Sequence, residues 1–303
     1  MTEGFDKSCY RLRWAVNSSR WEPEEMEWRF LLGLLPEDER TAVLRFKFVD
    51  DQKRALISRL LQRRCCEVAM GMSWDEITIK RTKGRKPFLA NLTHVPEAPN
   101  FNYNVSHEGN YVVLASEPVA VCGIDCAAPQ QLRKGKEMDI HKIKEVFSRN
   151  FTDLEWRTIM GAGPDNQTKE DCFRCHWSLK EAFTKARGDG IAFELNRCEF
   201  IMNQPWEAEY ATVNVDGVPQ DNWSFSLHKL SDQHWVSVGR GPPCDVIDAN
   251  GEFSGTFSKP DLSPEEIAEE LHAPSPCFSL LTIADLVPPS RLEEFEASGG
   301  DVI

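Results

Sequence analysis

Between residues 52 and 70 the apolar side chains Leu56, Ile57, Leu60, Leu61, Cys65 and Val68 recur every three or four positions, the period of one helix face. Asp50 or Asp51 precedes the run as a candidate N-cap. Other faces of this helix carry Arg54, Arg59, Arg63 and Arg64, which places positive charge along one side of the domain. A second long helix is predicted over residues 171–187. It sets Leu179, Ala182, Phe183 and Ala186 on a packing face and Trp177, Glu181 and Lys185 four apart on another, and it stops at Gly188. Shorter helices are expected over 140–150 and, capped by Thr152, over 153–160.

Strict alternation marks the strands. Phe101, Tyr103 and Val105 lead into a Glu108-Gly109-Asn110 turn and a return over 111–115. Trp223, Phe225 and Leu227 lead through Ser231-Asp232-Gln233 to Trp235, Val236 and Val238. Further strands are expected at 119–127 and around Ile77 and Ile79. The two outgoing hairpin strands close on His107 and His228. The pattern predicts an α+β fold of two pseudo-symmetric halves, each a small antiparallel sheet packed with helices, with the active site in the cleft between them. The expected divisions are residues 1–117, 118–244 and 245–303.

Charge sharpens this division. The chain has 35 basic and 48 acidic residues, a net −13, and residues 245–303 hold 13 acids against Lys259 and Arg291, so −11 falls there and −2 on the rest. Together with its Gly, Pro and Ser content, that tail reads as a mostly flexible appendage, with a short helix near 264–271 and docking near 278–286. Residues 40–86 carry 13 bases against five acids, a local +8 that suits a small polyanion rather than a nucleic acid. No apolar run approaches the roughly 20 residues needed to cross a bilayer. The first 20 residues include Asp6, Lys7, Arg11 and Arg13 without a continuous apolar stretch, so a cytosolic chain with no membrane partner is expected.

The richest candidate chemistry lies in three places. Arg81-Thr82-Lys83-Gly84-Arg85-Lys86-Pro87 is a glycine-containing loop with four bases, where cations and backbone N–H groups can approach phosphate together. Asp125 shares a strand face with Val121, Gly123 and Ala127. Glu181 and Lys185 offer an acid and a base from the long helix. Cys172, Cys175 and His176 have the spacing of haem attachment or, with Cys198, of a zinc site. Their helical setting favours small, partly buried helix residues instead.

Gly123-Ile124-Asp125, followed by Trp177-Ser178-Leu179-Lys180-Glu181-Ala182-Phe183-Thr184-Lys185, resembles the paired motifs G-[IV]-D and W-x-x-K-E-[AS]-x-x-K of the 4′-phosphopantetheinyl transferases. The resemblance extends through residues 81–87, Asn104-Val105-Ser106-His107 and back to residues 35–40, covering about 10–240. It implies transfer of phosphopantetheine from coenzyme A to a serine of an apo acyl or peptidyl carrier protein, such as a domain of fatty acid synthase or aminoadipate-semialdehyde dehydrogenase. Magnesium is the implied cofactor, with Asp125 and Glu181 as ligands and coenzyme phosphates and waters completing the shell. Coenzyme contacts are implied for Arg40, Arg81, Thr82, Lys83, Gly84, Arg85, Lys86, Asn104, Val105, Ser106 and His107. Lys185 is implied to hold the pyrophosphate, and Glu181 is the candidate base. Many bacterial relatives carry a second acid where this chain has Ala127, which points to two carboxylate ligands rather than three. A cleft within one chain implies a monomer. Another Mg²⁺-dependent nucleotide transferase, or an inactive coenzyme-binding scaffold, would share the acid pair and the bases.

Overall fold

Two sheets lie face to face with a long helix on each outer side, because alternating strand residues give both sheets two apolar faces. The computed structural model describes residues 7–129, 139–202, 210–231 and 233–301; Asp232 of the expected turn, the first six residues and the final two lie outside them. The first half contains β1 (Arg13–Asn17), α1 (Glu25–Gly33), α2 (Glu37–Leu44), α3 (Val49–Met70), β2 (Ile79–Arg81), β3 (Pro87–Leu89), β4 (Asn102–Glu108) and β5 (Tyr111–Glu117). There follow β6 (Val121–Ala127), α4 (Ile140–Phe147), α5 (Asp153–Gly161), α6 (Asn166–Arg187), β7 (Cys198–Met202), β8 (Tyr210–Val215), β9 (Val218–Pro219), β10 (Ser224–Leu230) and β11 (His234–Gly241). The chain closes with α7 (Pro264–His272), β12 (Ser279–Leu281) and α8 (Leu292–Ala297). The sheets run β12-β1-β5-β4 and β6-β11-β10-β8-β7, with β9 beside β8; β2 and β3 form a separate ribbon. Only the β1–β12 pair is parallel among these pairings.

The period of two decides which core each side chain joins. Val112 and Leu114 of β5 pack with Leu56, Ile57, Leu60 and Leu61 of α3. Tyr111, Val113 and Ala115 point the other way and meet Ile124, Cys126, Val236 and Val238 of the second sheet. Beyond that sheet, Leu179, Phe183 and Ala186 of α6 pack with Phe200, Trp223 and Phe225. No helix among the described residues is long and apolar enough to cross a membrane.

The edge strands β4 and β6 are joined by side chains. Backbone N–H groups of Cys122, Ile124, Cys126 and Ala128 donate in turn to Asn102 Oδ1 (2.9 Å), Asn104 Oδ1 (2.9 Å), Ser106 Oγ (3.4 Å) and Glu108 Oε2 (2.6 Å). Each rung links residue i to i+20, so the two edges run parallel. Polar alternation on β4 thereby satisfies an edge that would otherwise need another strand.

Several expectations change. Phe48, not Asp50 or Asp51, occupies the N-cap of α3, and the two aspartates sit in its first turn, where their charge favours the positive end of the helix dipole. The predicted helix at 171–187 begins five residues earlier, capped by Asp165 through Thr168 N–H, and ends at Gly188 with φ of 87°. Arginines of α3 do not form one basic face: Arg63 is buried and donates to Trp74 O and Ile77 O, Arg64 to Glu67 and Asp285 O, and Arg54 to Asp51 and Gly109 O. The tail is not a flexible appendage. Phe253 and Phe257 enter the core of the second half, and Ile283, Leu286, Val287 and Phe295 that of the first. Glu270 pairs with Arg11, which with Arg13 also holds the buried Glu117. Its few apolar anchors are widely spaced, so composition concealed them.

Ending the chain near residue 250 is therefore expected to abolish soluble, cooperatively folding protein: each large buried side chain is worth about 1.5–3 kcal/mol and the usual total is about 5–15 kcal/mol. A sharp thermal transition in that truncation would show that the tail contributes little. Burial holds His176 and His228 down to about 4, whereas an unfolded histidine takes its proton near about 6.5. Their contribution to stability is thus complete above about pH 6.5 and lost as pH falls toward about 4. The urea midpoint should drop between about pH 7 and about pH 5, and His176→Gln should narrow that drop; equal midpoints would count against both histidines.

Candidate functional site

Gly123 sets the site's geometry. A Cβ there would lie 2.0 Å from Ala182 O and 2.4 Å from Ala186 N, so β6 and α6 meet backbone to backbone across glycine and two alanines. Two residues along β6, the mostly buried Asp125 faces the same helix. Lys185 Nζ donates to Asp125 Oδ1 at 2.5 Å and to Ser106 Oγ at 2.9 Å, while Ser106 Oγ donates to the same carboxylate oxygen at 2.9 Å. Strands β4 and β6 and helix α6 thus each bring one group to a single point between the halves.

Glu181 lies one turn before Lys185. Burial raises its carboxyl above the ordinary carboxylate range, the negative charges of Asp125 and Glu108 add to that, and Lys185 opposes it. His107 keeps an exposed edge, yet desolvation by its surroundings and the charges of Arg54 and Lys185 hold its imidazole below the usual value. Carboxylates gathered beside cations suit a site that binds a dication and phosphate together. Among the described residues no three His, Cys, Asp or Glu side chains group closely enough to hold a metal by themselves.

The basic loop is a tight turn between β2 and β3. Thr82 N donates to Lys86 O at 2.9 Å, Arg85 N to Thr82 O at 2.8 Å and Lys86 N to Thr82 Oγ1 at 3.1 Å, with Arg85 at φ of 69°. Arg81, Lys83, Gly84 and Arg85 are exposed. The turn approaches the end of α6 closely enough that a Cβ on Gly84 would stand 3.3 Å from Gly188 O. Lys86 departs from the expected coenzyme contact: its buried ammonium donates to Cys122 O, Lys185 O and Ala186 O at 3.1, 2.9 and 2.8 Å, which takes all three protons. Asn104 is a rung of the β4–β6 ladder, and Val105 packs against the first core. Arg40 pairs with Glu37 at 3.2 Å and leaves a buried Nε without a partner.

Three residues were missed as parts of this arrangement. Glu108, taken for a turn residue, lends its charge to Glu181; its place in the Asn102, Asn104, Ser106 series was the available signal. Arg59 feels Arg81 more than the nearby Glu39 and Asp38, and its buried Nε has no partner. Lys180, inside the helix motif, is fully buried in an ion pair with Glu155 at 2.9 Å and also donates to Leu195 O and Cys198 O. Cys172, Cys175 and His176 are buried in α6, and His176 Nδ1 lies 2.9 Å from Cys172 O.

A two-sheet α+β fold that joins an acid pair, a lysine and a basic turn between its halves suits an enzyme that handles phosphate. The family description 4′-phosphopantetheinyl transferase, N-terminal, matches residues 19–119, and that of the 4′-phosphopantetheinyl transferase superfamily matches 121–239. The L-aminoadipate-semialdehyde dehydrogenase-phosphopantetheinyl transferase of Mus musculus is 35% identical over 238 residues, covering 77% of this chain and 75% of that one. A phosphopantetheinyl transferase of Thraustochytrium is 34% identical over 228 residues, 74% and 76% of the two chains. The solved structure of Thermotoga maritima holo-[acyl-carrier-protein] synthase is 19% identical, with a TM-score of 0.27 over 40% of this chain and 62% of that one. The chain belongs to the 4′-phosphopantetheinyl transferase family. It is an enzyme that transfers phosphopantetheine to carrier proteins, with coenzyme A as the donor.

Gly123→Ala should force α6 from β6 by about 1 Å, destabilise the fold by about 1–3 kcal/mol as overpacking does, and lower kcat about a hundredfold because Asp125 and Lys185 lose register. Full activity with unchanged melting would show that the close crossing is dispensable.

Proposed function

We propose that Asp125 and Glu181 hold Mg²⁺ against the pyrophosphate of coenzyme A and that a carrier serine attacks the β-phosphorus beside them. The observation that carries this reading is the convergence of Ser106, Asp125 and Lys185 with Glu181 one turn away. The donor set fits the ion: oxygen ligands of like charge raise one another's proton affinity, as they do at Glu181, and a hard dication favours such oxygens. When bound, Mg²⁺ neutralises the charge of the phosphates.

The chain's own groups then divide the work. Asp125 is fixed by the Ser106 hydroxyl. Lys185, which is partly exposed, moves its charge from Asp125 to the pyrophosphate and the leaving group. Glu181, the candidate base, takes the serine proton. The serine oxygen bonds to the β-phosphorus, the bond to the bridging oxygen breaks, and adenosine 3′,5′-bisphosphate leaves. His107, Arg40 and Arg81 supply positive or hydrogen-bonding edges for the remaining phosphates, with Thr82, Lys83, Gly84, Arg85, Asn104 and Val105 shaping the coenzyme's path.

Carrier domains like those of fatty acid synthase and aminoadipate-semialdehyde dehydrogenase are the partners in this reading; the name of the mouse relative supports the second. The halves are related by an approximate twofold, an idea supported by the helix-sheet-sheet-helix order, and a cleft made within one chain lets a cytosolic monomer act alone.

Incubation with coenzyme A, Mg²⁺ and apo carrier should add one phosphopantetheine mass to the carrier. Asp125→Ala and Glu181→Gln should each slow that transfer by at least about a hundredfold, the scale of losing one charge-stabilising group. Near-normal turnover of Asp125→Ala at low millimolar Mg²⁺ would overturn the metal assignment.

A further inference from the structure

We propose that Lys86 is a positioning residue for Lys185, acting through the backbone at the end of α6 and making no coenzyme contact of its own. The last four carbonyls of a helix lack partners within it. In α6 they are Thr184, Lys185, Ala186 and Arg187, and three devices meet the four. Thr184 O accepts from Gly188 N and Asp189 N, and Arg187 O accepts from Ile247 N at 2.7 Å. The two carbonyls between them accept from Lys86 Nζ. A cation at this end also complements the negative pole of the helix.

The third proton decides the inference. It goes to Cys122 O on β6, beside Gly123 and three residues before Asp125. One ammonium therefore ties the strand that carries Asp125 to the turn that carries Lys185, on the side of the crossing opposite their side-chain pair. The cation also stands 5.0 Å from the centre of the Phe253 ring, which leaves it enclosed rather than facing the cleft. A phosphate contact would require Lys86 to abandon at least one buried carbonyl. Three carbonyls within 3.1 Å of one nitrogen also explain lysine over arginine, whose planar fork spreads its donors apart.

The inference rests on the reading of Lys185 as a group used in the reaction, and the test separates the two. Steady-state transfer, calorimetric binding of coenzyme A and thermal melting are measured for Lys86→Met, Lys185→Ala and the double variant. Lys86→Met should lower kcat at least about tenfold, the scale of a small misplacement, while its affinity for coenzyme A falls no further than that of Lys185→Ala, as expected when no phosphate contact beyond that of Lys185 is lost. In the Lys185→Ala background the same change should lower kcat by less than about twofold, because coupled residues are not additive. A loss of coenzyme affinity in Lys86→Met larger than that in Lys185→Ala, or losses that multiply in the double variant, would overturn the positioning role. Unchanged kcat in Lys185→Ala alone would overturn the reading of Lys185 and leave the affinity result to decide Lys86. Should Lys86→Met fail to fold, Lys86→Arg serves: a phosphate contact predicts that arginine restores turnover, and positioning through three carbonyls predicts that it does not.

Discussion

The site depends on a join between two strand edges that never pair as a sheet. Asn102, Asn104, Ser106 and Glu108 offer side-chain oxygens to alternate N–H groups of β6 and of Ala128 just beyond it. Such a ladder fixes the halves more sharply than apolar packing, because each buried N–H must find its acceptor and a slip of one residue would leave every rung unmet. Ser106 is both a rung and the hydroxyl that donates to Asp125. The contact that assembles the two halves is thus also the contact that orients the carboxylate.

Perpendicular to that join, the crossing of α6 over β6 sets distance. Gly123 is needed because the Ala182 carbonyl occupies the space of a side chain, and Ala182 and Ala186 are small for the same reason. The spacing G-x-D on a strand and E-A-x-x-K on a helix then acquires a physical meaning: Gly123 and Ala182 make room, and Asp125 and Lys185 meet across it. Function here is a consequence of how closely two backbones can approach.

This logic was partly open to sequence reading. The helix period of α3 and α6, the β4–β5 and β10–β11 hairpins, and the motifs around Asp125 and Glu181 were legible because each depends on local spacing. Pairings over long separations were not. β1 and β12 find each other only in the folded chain: Trp14 lies opposite Ser279, 265 residues later. Glu108 looked like part of a turn because its acceptor role needs β6 beside it. Lys86 looked like a phosphate ligand because four bases in seven residues say nothing about which one turns inward.

The three lysines around α6 show what separates a working charge from a structural one. Lys180 is sealed in an ion pair with Glu155 and against the carbonyls of Leu195 and Cys198. Lys86 is sealed against three carbonyls. For either to change partners, a buried carbonyl or carboxylate would be left unsatisfied, a loss of about 1–3 kcal/mol or more. Lys185 keeps 30% of its side chain exposed and bonds to two side-chain oxygens. Water can replace it at Asp125 as it leaves, so its motion carries a much smaller penalty. In the proposed reaction, a cation that can leave its partner beside two that cannot would meet the needs of a site that must receive a pyrophosphate and then release a bisphosphate, since the charge that answers the substrate could return to Asp125 once the product has gone.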